Sequence, residues 1–281
     1  MLKKAIVMSI ALPMSIGLGP SAIADETGGL ADFSASVGLK VWENQWNVPS
    51  DELNQIISFR SENEIVLIPV LSFRYKKFFI SGSYFPETDY SLGEQTVIGE
   101  ISVEQGADQA PTQQYVGLLT ELSAERSEWD INVGYYLSPF LVITAGYKKI
   151  ERSFTGEIKK ELLSPTEEKI VKEPFHFGTK TDGLTIGIAG VAPLQGKLGL
   201  YGNFALGWLE TSEKDKDNFD SGYRLGELGF LYSSRFEQIP MLNAASFYAG
   251  YRFQVVKDDM PIGNGADDTT EGFVLGVNLT F

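Results

Sequence analysis

The final eleven residues, Glu271-Gly-Phe-Val-Leu-Gly-Val-Asn-Leu-Thr-Phe281, constrain the fold more than any other stretch of the chain. In an extended strand, successive side chains point to opposite faces. Phe273, Leu275, Val277, Leu279 and Phe281 therefore share one face, and Gly272, Val274, Gly276, Asn278 and Thr280 share the other. One face is large and wholly apolar, whereas the other is small and mostly polar. A strand with lipid on one side and a wet lumen on the other requires this pattern. A soluble sandwich could use such a strand but would seldom end on it.

The opposite end is consistent with export. Lys3 and Lys4 precede a mostly apolar run, 5–18, and Ser21-Ala22-Ile23-Ala24 supplies an Ala-x-Ala cleavage pattern. These features predict a signal peptide over residues 1–24, removed before Asp25. The run is too short for the ~20 residues of a spanning helix, and Pro13 breaks it. The remaining chain, 25–281, reads as one β-barrel domain. Its ending resembles the carboxyl-terminal signal of bacterial outer-membrane β-barrel proteins, carried here by Phe273, Leu275, Val277, Leu279 and Phe281. That resemblance implies handling by periplasmic chaperones and the outer-membrane assembly machinery. It also implies residence in the bacterial cell outer membrane, in contact with lipid and lipopolysaccharide.

Composition narrows the chemistry. The chain has no cysteine, which removes disulfide scaffolds, thiolate nucleophiles and Cys-ligated metals. Beyond residue 24 there are 21 basic and 37 acidic residues, the reverse of the basic footprint expected for nucleic-acid binding. No nucleic-acid partner, cofactor or metal is expected.

Period-two segments recur along the chain at 33–42, 65–75, 78–85, 129–137, 141–150, 184–191, 198–209, 223–232, 247–255 and 271–281. They predict an all-β, antiparallel, up-and-down transmembrane barrel of about ten strands. Starting from the periplasmic side, the outward connections are 43–64, 86–128, 151–183, 210–222 and 256–271, and these are the longer, polar ones. Short periplasmic turns, longer external loops and an even strand number are habits of such barrels. Two stretches, 96–104 and 115–122, are expected to form a hairpin above the bilayer; the alternative is a twelve-stranded barrel. Pro69 lies inside the second segment and suggests a bulge, because proline cannot donate to a ladder.

Alternation places Lys40, Asp130, Lys148, Glu227 and Arg252 on inward faces, roughly 20 Å above the periplasmic rim at ~3.3 Å per tilted residue. Two readings of this belt stay open. Opposite charges pair and rigidify a narrow interior, since an unpartnered buried charge is too costly to keep. Alternatively, the belt is a constriction that selects small, anionic solutes. Aromatic residues are expected to mark the two interfaces: Trp129, Tyr147, Trp208 and Tyr251 outside, Tyr75 and Phe281 inside. Trp42 falls on the lumen side and Trp46 in the first external loop, which makes them the aromatic candidates for a ligand contact.

An active-site constellation is hard to assemble. The single histidine, His176, lies in the third external segment, and Gly178 stands where a His-x-Ser pair would need its serine. No enzymatic activity is expected. Only about eight residues separate the predicted cleavage point from the first strand, which leaves no room for a plug domain. Acidic clusters at 210–220 and 258–271 lack the spacing of a Ca²⁺ loop. The sequence therefore points to a narrow passive channel for small solutes or ions, or to a mainly structural membrane protein. A surface binding or adhesion protein acting through its external loops is the alternative, and an outer-membrane enzyme the weakest reading.

Overall fold

Short turns set the architecture. Lys76 adopts a left-handed φ of 55° in a two-residue turn that brings Tyr75 opposite Phe78, and Gly196 (φ 62°) serves the turn after Pro193. Such conformations reverse the chain tightly enough to keep neighbouring strands in register. The computed structural model describes residues 33–52, 55–103, 112–164, 167–213, 217–236, 239, 241–258 and 267–281. The expected signal peptide, 1–24, lies outside the described residues.

The elements are β1 (Phe33–Glu52), β2 (Gln55–Arg60), β3 (Glu64–Tyr75), β4 (Phe78–Val103), β5 (Thr112–Ser138), β6 (Leu141–Ser164), β7 (Glu167–Pro193), β8 (Leu198–Glu213), β9 (Phe219–Arg235), β10 (Ala244–Asp258) and β11 (Asp267–Thr280). From β3 to β11, neighbours in the chain pair antiparallel; β1 pairs with both β2 and β3, and β11 pairs with β1 to close the ring. Ten strands form the barrel. The short β2 pairs with the outer end of β1, continuing the line of β3 past a break at 61–63. Phe281 completes the closure, exchanging backbone hydrogen bonds with Ala35 at 2.8 and 3.2 Å. Closure matters because lipid offers no partners for an exposed sheet edge.

The period-two faces sort as expected. Val37, Leu39, Leu71, Ile80, Val133, Ile143, Ile186, Phe204, Phe230 and Leu275 project outward and stay exposed, forming the apolar band a bilayer requires. Trp42, Asn132, Asn203 and Asn278 point inward and are buried.

Two expectations need correction. The long polar connections are mostly not loops: β4 to β7 run on as paired strands, with ladders out to Val103↔Thr112 and Ser164↔Glu167. The stretches 96–103 and 115–122 lie on this continued β4–β5 hairpin, as expected, and the twelve-strand alternative falls away; residue 104 lies outside the described residues. Polar residues disguised these continuations, because both faces of a strand above the membrane meet water or polar neighbours. Pro69 causes no bulge against β1, with which its register is unbroken. Instead, the β3–β4 ladder ends beside it, at Val70↔Ser83.

Candidate functional site: an ion-paired lumen

The site lies inside the barrel, where five cations and four carboxylates meet: Lys40, Arg126, Lys148, Arg152 and Arg252 with Glu128, Asp130, Glu227 and Asp268. In its lower layer, Glu227 Oε2 accepts from Lys40 Nζ at 3.2 Å and Arg252 Nη1 at 3.4 Å. Tyr201 donates to the other oxygen at 3.1 Å. Glycines make that reach possible: a side chain at Gly229 or Gly250 would collide with the Tyr201 ring lying across them. The Arg252 guanidinium stacks over Trp42, 4.7 Å from the ring centre, an arrangement that favours a cation against an aromatic face.

Glu128 organises the middle layer. It accepts from Lys148 at 2.6 Å, Arg126 at 2.6 Å and Gln254 Nε2 at 2.8 Å. Gln254 in turn accepts from Arg252 at 3.1 Å, which joins the two layers. Asp130 stands to one side, accepting from Ser83 Oγ at 2.7 Å and Asn132 at 2.9 Å. Above them, Asp268 takes Arg152 at 2.7 Å, Trp46 Nε1 at 2.5 Å and Arg126 at 3.6 Å. Arg152 also donates to Thr181, the start of a hydroxyl chain running through Thr211 to Ser221.

Ring order gives these contacts their meaning. β5 and β10 stand five strands apart either way around the ring, as do β6 and β11. Gln254–Glu128 and Arg152–Asp268 therefore join diametrically opposite walls. Lys40, Trp42 and Trp46 are 0 % exposed, and Arg126 and Gln254 are 1 % exposed. An open pore would leave such side chains touchable by water. Small barrels fill their interiors with side chains, and here the filling is ionic.

The five belt residues anticipated from alternation all face inward. Lys40, Glu227 and Arg252 meet directly, Lys148 joins them through Glu128 and Gln254, and Asp130 bonds elsewhere. Glu128, Arg126, Arg152 and Asp268 were missed because their segments read as external loop; Gln254 lies in the expected strand 247–255, on the inward phase of Arg252, and was passed over because it carries no charge. Carrying the inward phase of Asp130 back by twos reaches Glu128 and Arg126, and carrying that of Lys148 forward reaches Arg152. Trp46 is likewise not in a loop: it sits on β1, packs on Tyr90 and Phe154, and is sealed from solvent. His176 lies on β7 with its ring against Thr155 at 3.2 Å. Its neighbours Phe175 and Phe177 stack on the lumen side with Phe154, so alternation turns His176 away from the interior carboxylates.

The aromatic residues expected at the outer interface lie on the outward faces of their strands. Trp208 is 65 % exposed, Trp129 stacks by Tyr147 at 5.7 Å, and Tyr251 meets Phe273 edge-on at 5.4 Å. Just above them, Asp182 accepts a hydrogen bond from Tyr147 and pairs with Lys180 at 2.9 Å. The Tyr147 bond first, and the cation second, hold this carboxyl below its ordinary range. Tyr75 and Phe281 are exposed at the inner rim.

No protein-family model and no curated protein sequence matches the chain. A solved structure does share its fold. The outer-membrane protease OmpT of Escherichia coli superposes with a TM-score of 0.53 at 14 % identity, over 91 % of this chain and 99 % of that one. The autotransporter NalP translocator domain of Neisseria meningitidis (TM-score 0.35, 10 % identity, 92 % and 90 % covered) and the P. putida toluene transporter TodX (0.29, 10 %, 92 % and 90 %) are looser matches. The fold is thus that of the outer-membrane β-barrels, and the likeness extends no further than fold.

Proposed function

We propose that this protein is a mainly structural component of a bacterial outer membrane, a barrel sealed by its own interior that holds long paired strands above the lipid. The observation that carries this reading is the pair of contacts between diametrically opposite walls, Gln254–Glu128 and Arg152–Asp268. A passive channel needs a continuous water path, and these contacts cross it at two levels. The apolar outer band and its aromatic rims fit a bilayer. The terminal Phe281, closing the ring against Ala35, fits a strand presented to assembly machinery. No enzymatic role is part of the proposal.

A second reading, surface binding through the extended strands, draws support from Phe177, which is 41 % exposed on the lumen side of β7 above the ion pairs. The test of the main reading is swelling of proteoliposomes in an isosmotic solution of a small sugar. Swelling no faster than in protein-free liposomes is expected. A rate that falls with increasing solute size would replace the structural reading with the channel.

A further inference from the structure

The wall has one weak line. β4 and β5 pair from Phe78↔Tyr135 out to Val103↔Thr112, and β11 pairs with β1 from Ser36↔Thr280 to Asn47↔Thr269. β3 and β4, in contrast, pair only from Tyr75↔Phe78 to Val70↔Ser83. Beyond that point β3 continues against β1 alone and β4 against β5 alone; among the described residues no ladder joins them, or joins β2 to β4. Both flanks carry a reason. Pro69 follows Val70 outward and lacks an N–H. On β4, Pro86 sits in an interruption of the β5 register between Phe85 and Thr88, which bends the strand.

Side chains close this seam where backbone does not. Phe85 reaches Trp42 edge-on, ring centres 6.1 Å apart, and Tyr90 donates to Asn44 at 2.7 Å. Outside, Ile65 and Leu67 are exposed at 69 % and 53 %, a lipophilic flank. Inside, Trp42 Nε1 and Arg252 Nε are buried donors with no hydrogen-bond partner, and their groups stack together. Buried donors of this kind are rare because each carries an uncompensated desolvation cost. The charges point the same way: five cations face four carboxylates in the network, and Glu227 alone serves both Lys40 and Arg252.

We propose that the β3–β4 seam is a lateral binding cleft for a single-chain amphiphile with an anionic headgroup. Its chain lies along Leu67 and Phe85, and its headgroup accepts from Trp42 Nε1 and Arg252 Nε. A single-chain carboxylate is the occupant because it brings the smallest anionic headgroup through a parting between two strands to a pair of donors. Phe85 acts as the latch, since it must swing from Trp42 for the headgroup to reach the donors. The site needs no open lumen and stands apart from the sealed-barrel reading.

Tryptophan quenching tests it on the full refolded protein. Trp129 and Trp208 face lipid, so the W129F/W208F variant removes signals that any membrane molecule would quench. In micelles, a brominated long-chain fatty acid is expected to quench the remaining emission saturably, by about half, since Trp42 and Trp46 share it. W42F should abolish the saturable part, and Phe85→Ala should lower the half-saturating concentration at least several-fold. The methyl ester of the same acid should bind at least ten-fold more weakly, and bilayers of brominated phosphatidylcholine should not quench Trp42. Absence of saturable quenching by the acid in both the parent and the Phe85→Ala variant would overturn the proposal. So would equal quenching by the ester or the phospholipid. A swelling assay that revealed a pore would leave these outcomes unchanged, so the two readings fail separately.

Discussion

Two seams of one barrel are held shut by different physics. Where β11 meets β1, the ladder is continuous over Ser36–Asn47, and the last residue adds its own backbone bonds. Where β3 meets β4, six residue pairs give way to an aromatic contact. Backbone ladders are strong in a bilayer because hydrocarbon offers no competing partner. Side-chain closure can open without breaking that ladder. The contrast assigns permanence to the terminal seam and adjustability to the internal one.

The comparison can be broken most severely at the terminal seam. A Cβ at Gly272 would collide with the Glu43 carbonyl oxygen. Gly272→Val should therefore cost at least about 3 kcal/mol, the upper range for overpacking, and prevent heat-modifiable barrel from forming on a gel. Next comes the lumen. Glu128→Ala leaves Lys148, Arg126 and Gln254 without their shared acceptor. Breaking a buried ion pair from one side costs about 3–5 kcal/mol, readable as a lower urea midpoint. At the internal seam, Phe85→Ala should cost about 3 kcal/mol, at the lower end for a buried phenylalanine. Ile80→Ala on the lipid face should lie within about 1 kcal/mol, because lipid replaces the lost contacts. Equal effects for these two variants would show that Phe85 closes nothing.

The smallest effect sharpens the contrast. Pro69→Val restores a backbone donor at the end of the β3–β4 ladder, worth about 1 kcal/mol if the bond forms. Slower amide exchange at Val70 and its neighbours in this variant would show that proline ends the ladder. Unchanged exchange would shift the cause to the bend at Pro86.

Within the membrane, almost all of this was legible in the sequence. Alternation placed Lys40, Asp130, Lys148, Glu227 and Arg252 on the inner faces because lipid outside and a polar interior force a strict period of two. The terminal strand showed the same period at its clearest, from Phe273 to Phe281. Above the membrane the outer face no longer needs to be apolar, so the period fades although the strands continue. That is why Arg126, Glu128, Arg152 and Asp268 read as loop residues and Trp46 as a loop aromatic. Pairing partners across the lumen could not be read at all. Gln254 reaching Glu128 depends on ring order and strand stagger, which no single strand encodes.

The central claim is that the lumen is sealed by contacts across its diameter, and single-channel recording in planar bilayers tests it most directly. The wild-type protein should insert without current steps above background. The Glu128→Ala/Asp268→Ala double variant, refolded and inserted in the same way, should give discrete openings once both crossings are removed. Regular conductance steps from the wild-type protein, unchanged in the double variant, would contradict the account.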